Sequence, residues 1–426
     1  MNESHFSVVR YYRLVRNNAN FRRMWLAQIV SELGDWFYSV AIYDLVLRLT
    51  GSAKLVGLAV LLQVLPMFLL GPTAGAVNDR LSRRAVMITA DLARAAIVLG
   101  MVVVQTRDQL WLLYVLLALE VASAAFFEPA RNAVIANIVA ESEVIGANAL
   151  SSATWSFNLA VGAGLGGLVV HALGRNAAFV INSLSFLASA ALILRMQFRE
   201  PHLEGRSHLS WADILGLGPI VEGVRYVKDD ARLAAMLFLK CGLGLLGANL
   251  VLLPVIGERE FSADGAGVLG MSTLFMSRGV GAILGPFIGG RWAGSSQPRM
   301  RGGVLAGFVA AGVSYLLFSR APSLAAASAC VAAAHAGGSV VWVFSTTLLQ
   351  LNTEDRFRGR IFAADFGLLT LAISGSASAV SLAIDHGTAP RIAAAALGCA
   401  MFAPAGLWAV AQRLWRVEGV SASPNR

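Results

Sequence analysis

The 426-residue chain contains few charges and few cysteines. Charged residues make up only 14% of the sequence, whereas hydrophobic residues make up 57%. This apolar content exceeds what the cores of soluble domains of this length need to bury. A hydrocarbon layer about 30 Å thick requires roughly 20 apolar residues for each helical crossing, and such stretches recur throughout the chain. The composition therefore predicts a polytopic membrane protein.

Several kinds of chemistry have no basis in the sequence. The three cysteines, Cys241, Cys330 and Cys399, are far apart inside apolar runs, which argues against a disulfide framework or a zinc site. The chain has no zinc-protease histidine pair, nucleophile elbow or phosphate-binding loop, so neither a membrane enzyme nor an ATP-driven pump is expected. We expect no cofactor and no metal. The net charge of +9 does not indicate nucleic-acid binding, because the basic residues cluster in loops.

Twelve apolar segments are predicted to cross the membrane as helices. They lie near 24–49, 54–77, 86–105, 110–134, 150–172, 176–197, 233–257, 266–290, 302–319, 323–350, 361–384 and 390–414. No small-residue cleavage site follows the first segment, which predicts a retained helix rather than a signal peptide. Most of the 34 lysines and arginines fall in the N-terminal region, the C-terminal region and alternate loops. The positive-inside rule therefore predicts that both termini are cytoplasmic.

The longest polar interval divides the predicted spans into two sets of six. It runs from about 198 to 232, and its middle part, 211–227, alternates apolar and polar residues at helical spacing. We therefore predict an N-terminal six-helix half (1–197), a cytoplasmic linker with an amphipathic helix (198–232) and a C-terminal six-helix half (233–426). Gly71-Pro72 in the second span and Gly285-Pro286 in the eighth each precede a basic turn, which favours two pseudo-symmetric halves.

The loop between the second and third spans carries the sharpest motif. Residues 75–84 read Gly-Ala-Val-Asn-Asp-Arg-Leu-Ser-Arg-Arg. This run resembles the signature loop of the major facilitator superfamily, Gly-x-x-x-Asp-Arg-x-Gly-Arg-Arg, with Ser82 in place of the second glycine. The resemblance implies an all-α fold of twelve transmembrane helices and a cytoplasmic gate. Its gate residues would be Gly75, Asp79, Arg80, Arg83 and Arg84. An ordinary positive-inside loop is the alternative interpretation.

Three further segments resemble the superfamily branch that includes macrolide-efflux and enterobactin-exporter proteins. They are Leu33-Gly34-Asp35-Trp36, Phe126-Phe127-Glu128-Pro129-Ala130-Arg131 and Arg358-Gly359-Arg360-Ile361-Phe362-Ala363. The resemblance implies a monomeric proton antiporter that exports small molecules. The antiporter motif Gly-Pro-x-x-Gly-Gly lacks its proline here, since residues 162–167 read Gly-Ala-Gly-Leu-Gly-Gly. Its glycine face remains and predicts close helix packing.

Seven charged residues inside the predicted spans stand out as candidates, since a charge at the bilayer centre costs about 2.5 to 3.5 kcal/mol to insert. They are Glu32, Asp35, Asp91, Arg94, Glu120, Lys240 and Arg278. Glu32 and Asp35 lie three residues apart on one helix face, and Asp35 is roughly 16 Å from the inner end of its span. Two carboxylates this close do not both ionise easily, which favours a proton carrier or a substrate-cation site. An N-cap contact or an interhelical hydrogen bond is the alternative.

The other intramembrane charges allow several interpretations. Asp91 and Arg94 are three residues apart, and a local ion pair would satisfy both. The acids Glu32, Asp35 and Glu120 lie in the first half, whereas the bases Lys240 and Arg278 lie in the second. Pairs that form between the halves and break during transport would use this division, although chance could also produce it.

Two features of the second half have structural and functional alternatives. Arg278 could clamp helix-end carbonyls, and His335 is more often a satisfied buried histidine than a proton relay. Trp342 and Phe344, both in the tenth span, could stack on a flat hydrophobic substrate.

The sequence leaves three hypotheses for function. The leading one is a secondary transporter of the bacterial inner membrane that exports an amphipathic, drug-like or siderophore-like molecule in exchange for protons, with sodium as another possible coupling ion. The second is translocation of lipid or lysophospholipid. The third is a membrane sensor that has the fold but does not transport. Family resemblance cannot choose among these, because one fold supports many functions.

Overall fold

The computed structural model of the protein describes residues 8–140, 143–200, 203, 230–261, 267–294, 296–353 and 355–415. These residues form helices joined by short connections, and they contain no β-strand. The protein is an all-α, polytopic membrane protein. The amphipathic helix predicted for 211–227 lies outside the described residues.

Among the residues that the structure describes, seven α-helices precede the linker and eight follow it. The first seven are α1 (Val8–Asn17), α2 (Ala19–Thr50), α3 (Ala53–Arg80), α4 (Arg83–Gly100), α5 (Leu110–Ile138), α6 (Val144–Leu173) and α7 (Arg175–Leu194). Gly51 ends α2 in the left-handed conformation with φ of 64°, where an amino acid without a Cβ avoids strain. Its backbone N–H donates to the carbonyl of Leu47, so α2 and α3 are separated by a tight turn.

Eight α-helices follow the linker. They are α8 (Ala231–Gly244), α9 (Asn249–Glu260), α10 (Gly267–Ala293), α11 (Gln297–Phe318), α12 (Leu324–Leu351), α13 (Asp355–Asp385), α14 (Pro390–Ala400) and α15 (Phe402–Ala411). Helices α8 and α9 are joined by a 3₁₀ segment, Leu245–Ala248, and together form the seventh predicted span. Helices α14 and α15 meet at Met401 and form the twelfth.

Among the described residues, eleven helical segments are long and apolar enough to cross a membrane. Helix α2 is not one of them, although its 32 residues extend about 48 Å at 1.5 Å per residue. This helix carries both acidic and basic side chains, which lower its apolarity. The first predicted span therefore coincides with a long helix whose composition is unusually polar for a membrane crossing.

The seventh and twelfth spans are broken rather than continuous. Gly244 precedes the 3₁₀ turn and Gly247 lies within it, and a Cβ at Gly247 would lie 2.6 Å from the Cα of Ile373 in α13. Close contact with α13 thus accounts for glycine at this break. In the twelfth span, Pro404 has no N–H to donate to the carbonyl of Ala400, the last residue of α14.

The first of two compact units comprises Met1–Gly51 and Leu62–Gly216. Within it, α2 packs against α6 and α7, and α4 packs against α5 and α7. A Cβ at Gly162 would lie 2.9 Å from the Cβ of Trp36, and one at Gly166 would lie 3.0 Å from the Cα of Phe37. The glycine face of residues 162–167 therefore packs closely on α2, as the sequence predicts.

The second unit comprises Ser52–Leu61 and Leu217–Arg426. Within it, α10 and α11 pack on α12, and α8 packs on α12 and α13. The first residues of α3, up to Leu61, also belong to this unit. Asp385, the last residue of α13, accepts hydrogen bonds from the Ser52 hydroxyl at 2.6 Å and the Lys54 backbone N–H at 3.1 Å. A carboxylate at this position stabilises the N-terminus of α3.

Candidate functional site

A cluster of charged side chains surrounds Arg94 inside the first unit. The Nη2 atom of Arg94 lies 3.1 Å from both carboxylate oxygens of Asp35, and its Nε atom lies 2.7 Å from Oε1 of Glu120. The hydroxyl of Tyr38 donates to Oε2 of Glu120 at 2.8 Å. We call Asp35, Tyr38, Asp91, Arg94 and Glu120 the Arg94 cluster. Its members come from three helices, α2, α4 and α5.

The members of the Arg94 cluster differ in their access to the surrounding space. The side chain of Asp35 is 31% exposed, whereas those of Glu120 and Arg94 are 3% and 7% exposed. The guanidinium also lies 4.0 Å above the ring of Phe186, which covers one of its faces. Asp35 is therefore the most exposed carboxylate of the cluster, and the guanidinium that it contacts, that of Arg94, is buried.

The predicted local pair between Asp91 and Arg94 is only a minor contact. Their closest atoms are 4.0 Å apart, whereas the hydrogen bonds of Arg94 go to Asp35 and Glu120. Asp91 is fully buried, and the described residues give neither of its oxygens a hydrogen bond of normal length. The predicted ion pair is therefore present, but Arg94 makes its shorter contacts with Asp35 and Glu120. Helix packing brings two carboxylates from α2 and α5 to the guanidinium, and the short Asp91 side chain does not compete with them.

Glu32 belongs to a second cluster, separate from Asp35. Its Oε1 atom lies 3.0 Å from Nη1 of Arg131, and its Oε2 atom accepts from the amide of Asn158 at 2.9 Å. Gln28 donates to the same carboxylate, and Glu128 pairs with Arg131 at 2.7 Å. Glu32 and Asp35 thus lie near each other on α2 but contact different cations.

The signature loop, residues 75–84, makes a compact set of local contacts. Asp79 is 3.7 Å from Arg83, whose Nε atom donates to the carbonyl of Asn78 at 3.2 Å. Arg84 donates to the carbonyl of Leu194 at the end of α7. Gly75 and Arg80 lie in the last turns of α3. The gate role of this loop stays a prediction.

Ser82, which replaces the second glycine of the family motif, has a clear structural role. Its φ of −61° is ordinary for a residue with a side chain, and its hydroxyl accepts from the N–H of Ala85 as the N-cap of α4. The hydroxyl also donates to Glu200 at 2.6 Å, and Glu200 accepts from the N–H of Arg83 at 2.7 Å. Glu200 follows α7, so the start of the linker binds the signature loop.

A second buried ion pair lies in the second unit. Lys240 of α8 and Asp365 of α13 are 2.5 Å apart, and both are buried, with relative exposures of 4% and 2%. The ammonium of Lys240 also lies 4.5 Å from the ring centroid of Trp342 in α12. The indole of Trp342 is 41% exposed. We call these three residues the Lys240 site.

The remaining predicted residues of the second unit lie around His335. The two ring nitrogens of His335 are 3.0 Å from the amide of Asn249 and 3.0 Å from the carbonyl of Val331, so both are hydrogen bonded. Arg278 is close enough to His335 and Tyr315 for its charge to act on both. This arrangement favours a structural role for His335.

Sequence reasoning missed two residues of these clusters. Arg131 was recognised only as part of a motif near the cytoplasmic side, but it is the partner of Glu32. Asp365 was not considered, although it is an acid four residues into an apolar run that begins at Ile361. Placing such an acid in a membrane costs free energy, so its occurrence in an apolar run could have identified it as a candidate.

Comparison with known proteins agrees with this architecture. Residues 24–378 match the family described as Major Facilitator Superfamily. The chain is 28% identical over 229 residues to YfiS, an MFS-type transporter of Bacillus subtilis, and the match spans 54% of each chain. It is therefore similar to only about half the length of that relative.

Two other relatives match over more of the chain. Macrolide efflux protein A of Streptococcus pyogenes is 25% identical over 83% of this chain and 86% of its own. A bacterial homologue of the human lysosomal transporter Spinster, solved in an inward-facing and occupied conformation, superposes with a TM-score of 0.70. That superposition covers 94% of this chain and 97% of the other at 13% identity, so it supports the fold alone. With the family match across most of the sequence, the chain belongs to the major facilitator superfamily of membrane transporters.

Proposed function

We propose that the protein is a secondary active transporter that exports an amphipathic small molecule in exchange for protons. The observation that carries this proposal is the Arg94 cluster. Three carboxylates, those of Asp35, Glu120 and Asp91, share one guanidinium inside a membrane-spanning unit. When all three are ionised the cluster carries an excess of negative charge, which is costly in an apolar medium. Binding of protons removes that excess.

Asp35 is the member best suited to exchange protons. It is the most exposed of the three carboxylates, and its hydrogen bonds to Arg94 are longer than that from Arg94 to Glu120, at 3.1 Å compared with 2.7 Å. A proton on Asp35 weakens its attraction to Arg94 while Glu120 keeps the guanidinium in place. Protonation can thus change the orientation of one side chain on α2 without leaving a buried arginine unpaired.

The direction and location of transport rest on separate observations. The similarity to a macrolide efflux protein supports export of a drug-like or siderophore-like molecule. Basic residues are concentrated in one set of alternate loops, which supports cytoplasmic termini, and the relatives from bacteria support the bacterial inner membrane. We propose that the transporter functions as a monomer.

Substitution of Asp35 tests the coupling. Wild type, Asp35→Asn and the matched control Asp44→Asn would be expressed at equal membrane levels in a bacterium that lacks its major efflux pumps. Asp44 lies on the same helix but pairs with Arg48 at 2.8 Å, outside the Arg94 cluster. Susceptibility to diverse toxic compounds is measured with and without a protonophore. We expect wild type and Asp44→Asn to protect the cells, and the protonophore and Asp35→Asn each to abolish protection.

Proteoliposomes with an imposed pH gradient then separate coupling from binding. For a compound that wild type exports, we expect Asp35→Asn to retain exchange at equal concentrations on both sides and to lose pH-driven accumulation. Full pH-driven accumulation by Asp35→Asn would refute the assignment. No protection by wild type would direct the assay to labelled lysophospholipid, and failure there as well would favour the sensor hypothesis.

A further inference from the structure

The three residues of the Lys240 site lie at similar distances from the ends of their three helices in the second unit. Lys240 is about 14 Å from the start of α8, Asp365 about 15 Å from the start of α13, and Trp342 about 14 Å from the end of α12. The distribution of basic residues in the loops predicts that all three of these helix ends are cytoplasmic. The apolar run of the eleventh predicted span begins only at Ile361, so the site is expected inside the hydrocarbon layer, in the half nearer the cytoplasmic side.

Stability alone does not explain an ion pair at this position. Replacing a buried ion pair by apolar side chains of similar volume is often neutral or stabilising, because both charges lose their hydration on burial. Insertion of each charge into the membrane also has its own cost. A pair kept under these conditions is commonly part of a binding site or pathway. Lys240 and Asp365 thus require a functional explanation that packing does not supply.

The aromatic neighbour indicates where a ligand could approach. Trp342 contacts the Lys240 ammonium, yet its indole is 41% exposed. The same side chain therefore contacts the buried ammonium and reaches the surface of the unit. An apolar or aromatic ligand body could stack on this indole while its polar end reaches Lys240 and Asp365.

The charges of Lys240 and Asp365 indicate which charged groups the polar end of the ligand must carry. A ligand with only a negative group would bind Lys240 but leave Asp365 without a counter-charge. A ligand with only a positive group would bind Asp365 and leave Lys240 dependent on the indole. A zwitterion supplies a partner for each charge and keeps the site neutral. Because the two side chains are only 2.5 Å apart, the ammonium and carboxylate of the ligand must also lie close together.

We infer that the Lys240 site binds the zwitterionic end of an amphipathic substrate, with its carboxylate on Lys240, its ammonium on Asp365 and its apolar body on Trp342. This inference rests on the proposed transport function, since it names the substrate class of that transporter. It is independent of proton coupling through Asp35, because binding requires no gradient.

Binding to the purified full-length protein tests the inference. The probes are phenylalanine, N-acetylphenylalanine and phenylalanine amide, which share one aromatic body and are zwitterionic, anionic and cationic. Titration calorimetry in lipid nanodiscs measures their affinities. We expect wild type to bind phenylalanine at least about tenfold more tightly than either analogue, since each analogue leaves one buried charge unpaired. Equal affinities for the three probes would overturn the inference.

The double variant Lys240→Met/Asp365→Leu removes both charges while keeping apolar volume in the site. We expect it to melt at or above the wild-type temperature and to lose the preference for phenylalanine. The control Glu260→Gln/Arg391→Met removes another ion pair of the same unit and should keep the preference. A double variant that does not fold, or that folds and keeps the preference, would contradict the inference.

Asp35→Asn distinguishes this inference from the coupling proposal. The variant should keep the preference for phenylalanine even though it loses pH-driven transport. If the preference is present while Asp35→Asn transports normally, only the coupling proposal fails. If the preference is absent while Asp35→Asn loses pH-driven transport, only the inference about the substrate fails.

Discussion

The charge clusters of the two units differ in their numbers of acidic and basic side chains. In the first, one guanidinium is shared by Asp35, Glu120 and, more distantly, Asp91. In the second, the ammonium of Lys240 faces a single carboxylate, that of Asp365. The first cluster has more acids than bases, whereas the second is neutral as it stands.

This difference indicates which ligand suits each site. A site with excess negative charge in an apolar medium becomes neutral by binding protons, and the partial exposure of Asp35 provides access for them. The Lys240–Asp365 pair is already neutral, so binding of a proton does not remove an excess charge. The two side chains can instead separate and each contact the oppositely charged group of a zwitterion. This difference supports our two proposals, that the first unit binds the coupling proton and that the second unit binds the substrate.

Arg94→Met should produce the largest effect, because it leaves two buried carboxylates, Glu120 and Asp91, and the partly exposed Asp35 without their cation. We expect a loss of about 5 kcal/mol, at the upper end of the cost of breaking a buried pair, seen as a large fall in melting temperature. Arg16→Met, at an exposed arginine that donates to the hydroxyl of Tyr12 at 3.4 Å, is the control and should change little. A small effect of Arg94→Met would contradict the role of Arg94 as the shared counter-charge of the cluster.

Lys240→Met should have a smaller effect, because only Asp365 loses its partner. We expect a loss of about 3 kcal/mol in thermal unfolding of the purified protein. Adding Asp365→Leu should restore the wild-type melting temperature. If the double variant is as unstable as Lys240→Met, the pair itself stabilises the unit and the contrast with the Arg94 cluster disappears.

Ser82→Ala removes the N-cap of α4 and the contact with Glu200. We expect a loss of about 1 kcal/mol, measured as a lower melting temperature. Ser82→Gly restores the residue of the family motif and should cost only a few tenths of a kcal/mol, since glycine is tolerated at the N-cap. Equal losses for the two variants would show that Glu200, rather than the cap, is the important partner.

Asp91→Asn should have the smallest effect. The carboxylate is fully buried and has no hydrogen bond of normal length, so an uncharged amide of the same shape is easier to bury. We expect a change between zero and about 1 kcal/mol in the stabilising direction. A clear loss of stability would mean that Asp91 contributes its charge to Arg94 despite the distance of 4.0 Å.

Much of the fold could be predicted from the sequence, because a membrane crossing requires a long apolar run and such runs can be counted. All twelve predicted spans coincide with helical segments. The breaks at Leu245–Ala248 and Met401 could not be located from hydropathy, which is insensitive to local backbone geometry. Gly247 marks one break only because α13 passes against it in three dimensions.

The sequence predicted several individual charged residues of the candidate sites, but it did not predict which of them contact each other. The cost of charge in a membrane identified Asp35, Arg94, Glu120 and Lys240 without any structure. Spacing along one helix then suggested Asp91 as the partner of Arg94, because neighbours on the same helix are the only pairs that spacing can reveal. Asp35 and Glu120 reach the guanidinium from α2 and α5 instead.

The sequence by itself thus determined the membrane class, the helical spans, the family motif and the rare intramembrane charges, since each depends on local composition or order. Only the tertiary structure decided which charges meet. A guanidinium is stabilised by every carboxylate within reach, and helices distant in sequence bring those carboxylates together. The excess of acid around Arg94 and the balance between Lys240 and Asp365 are therefore properties of the folded units.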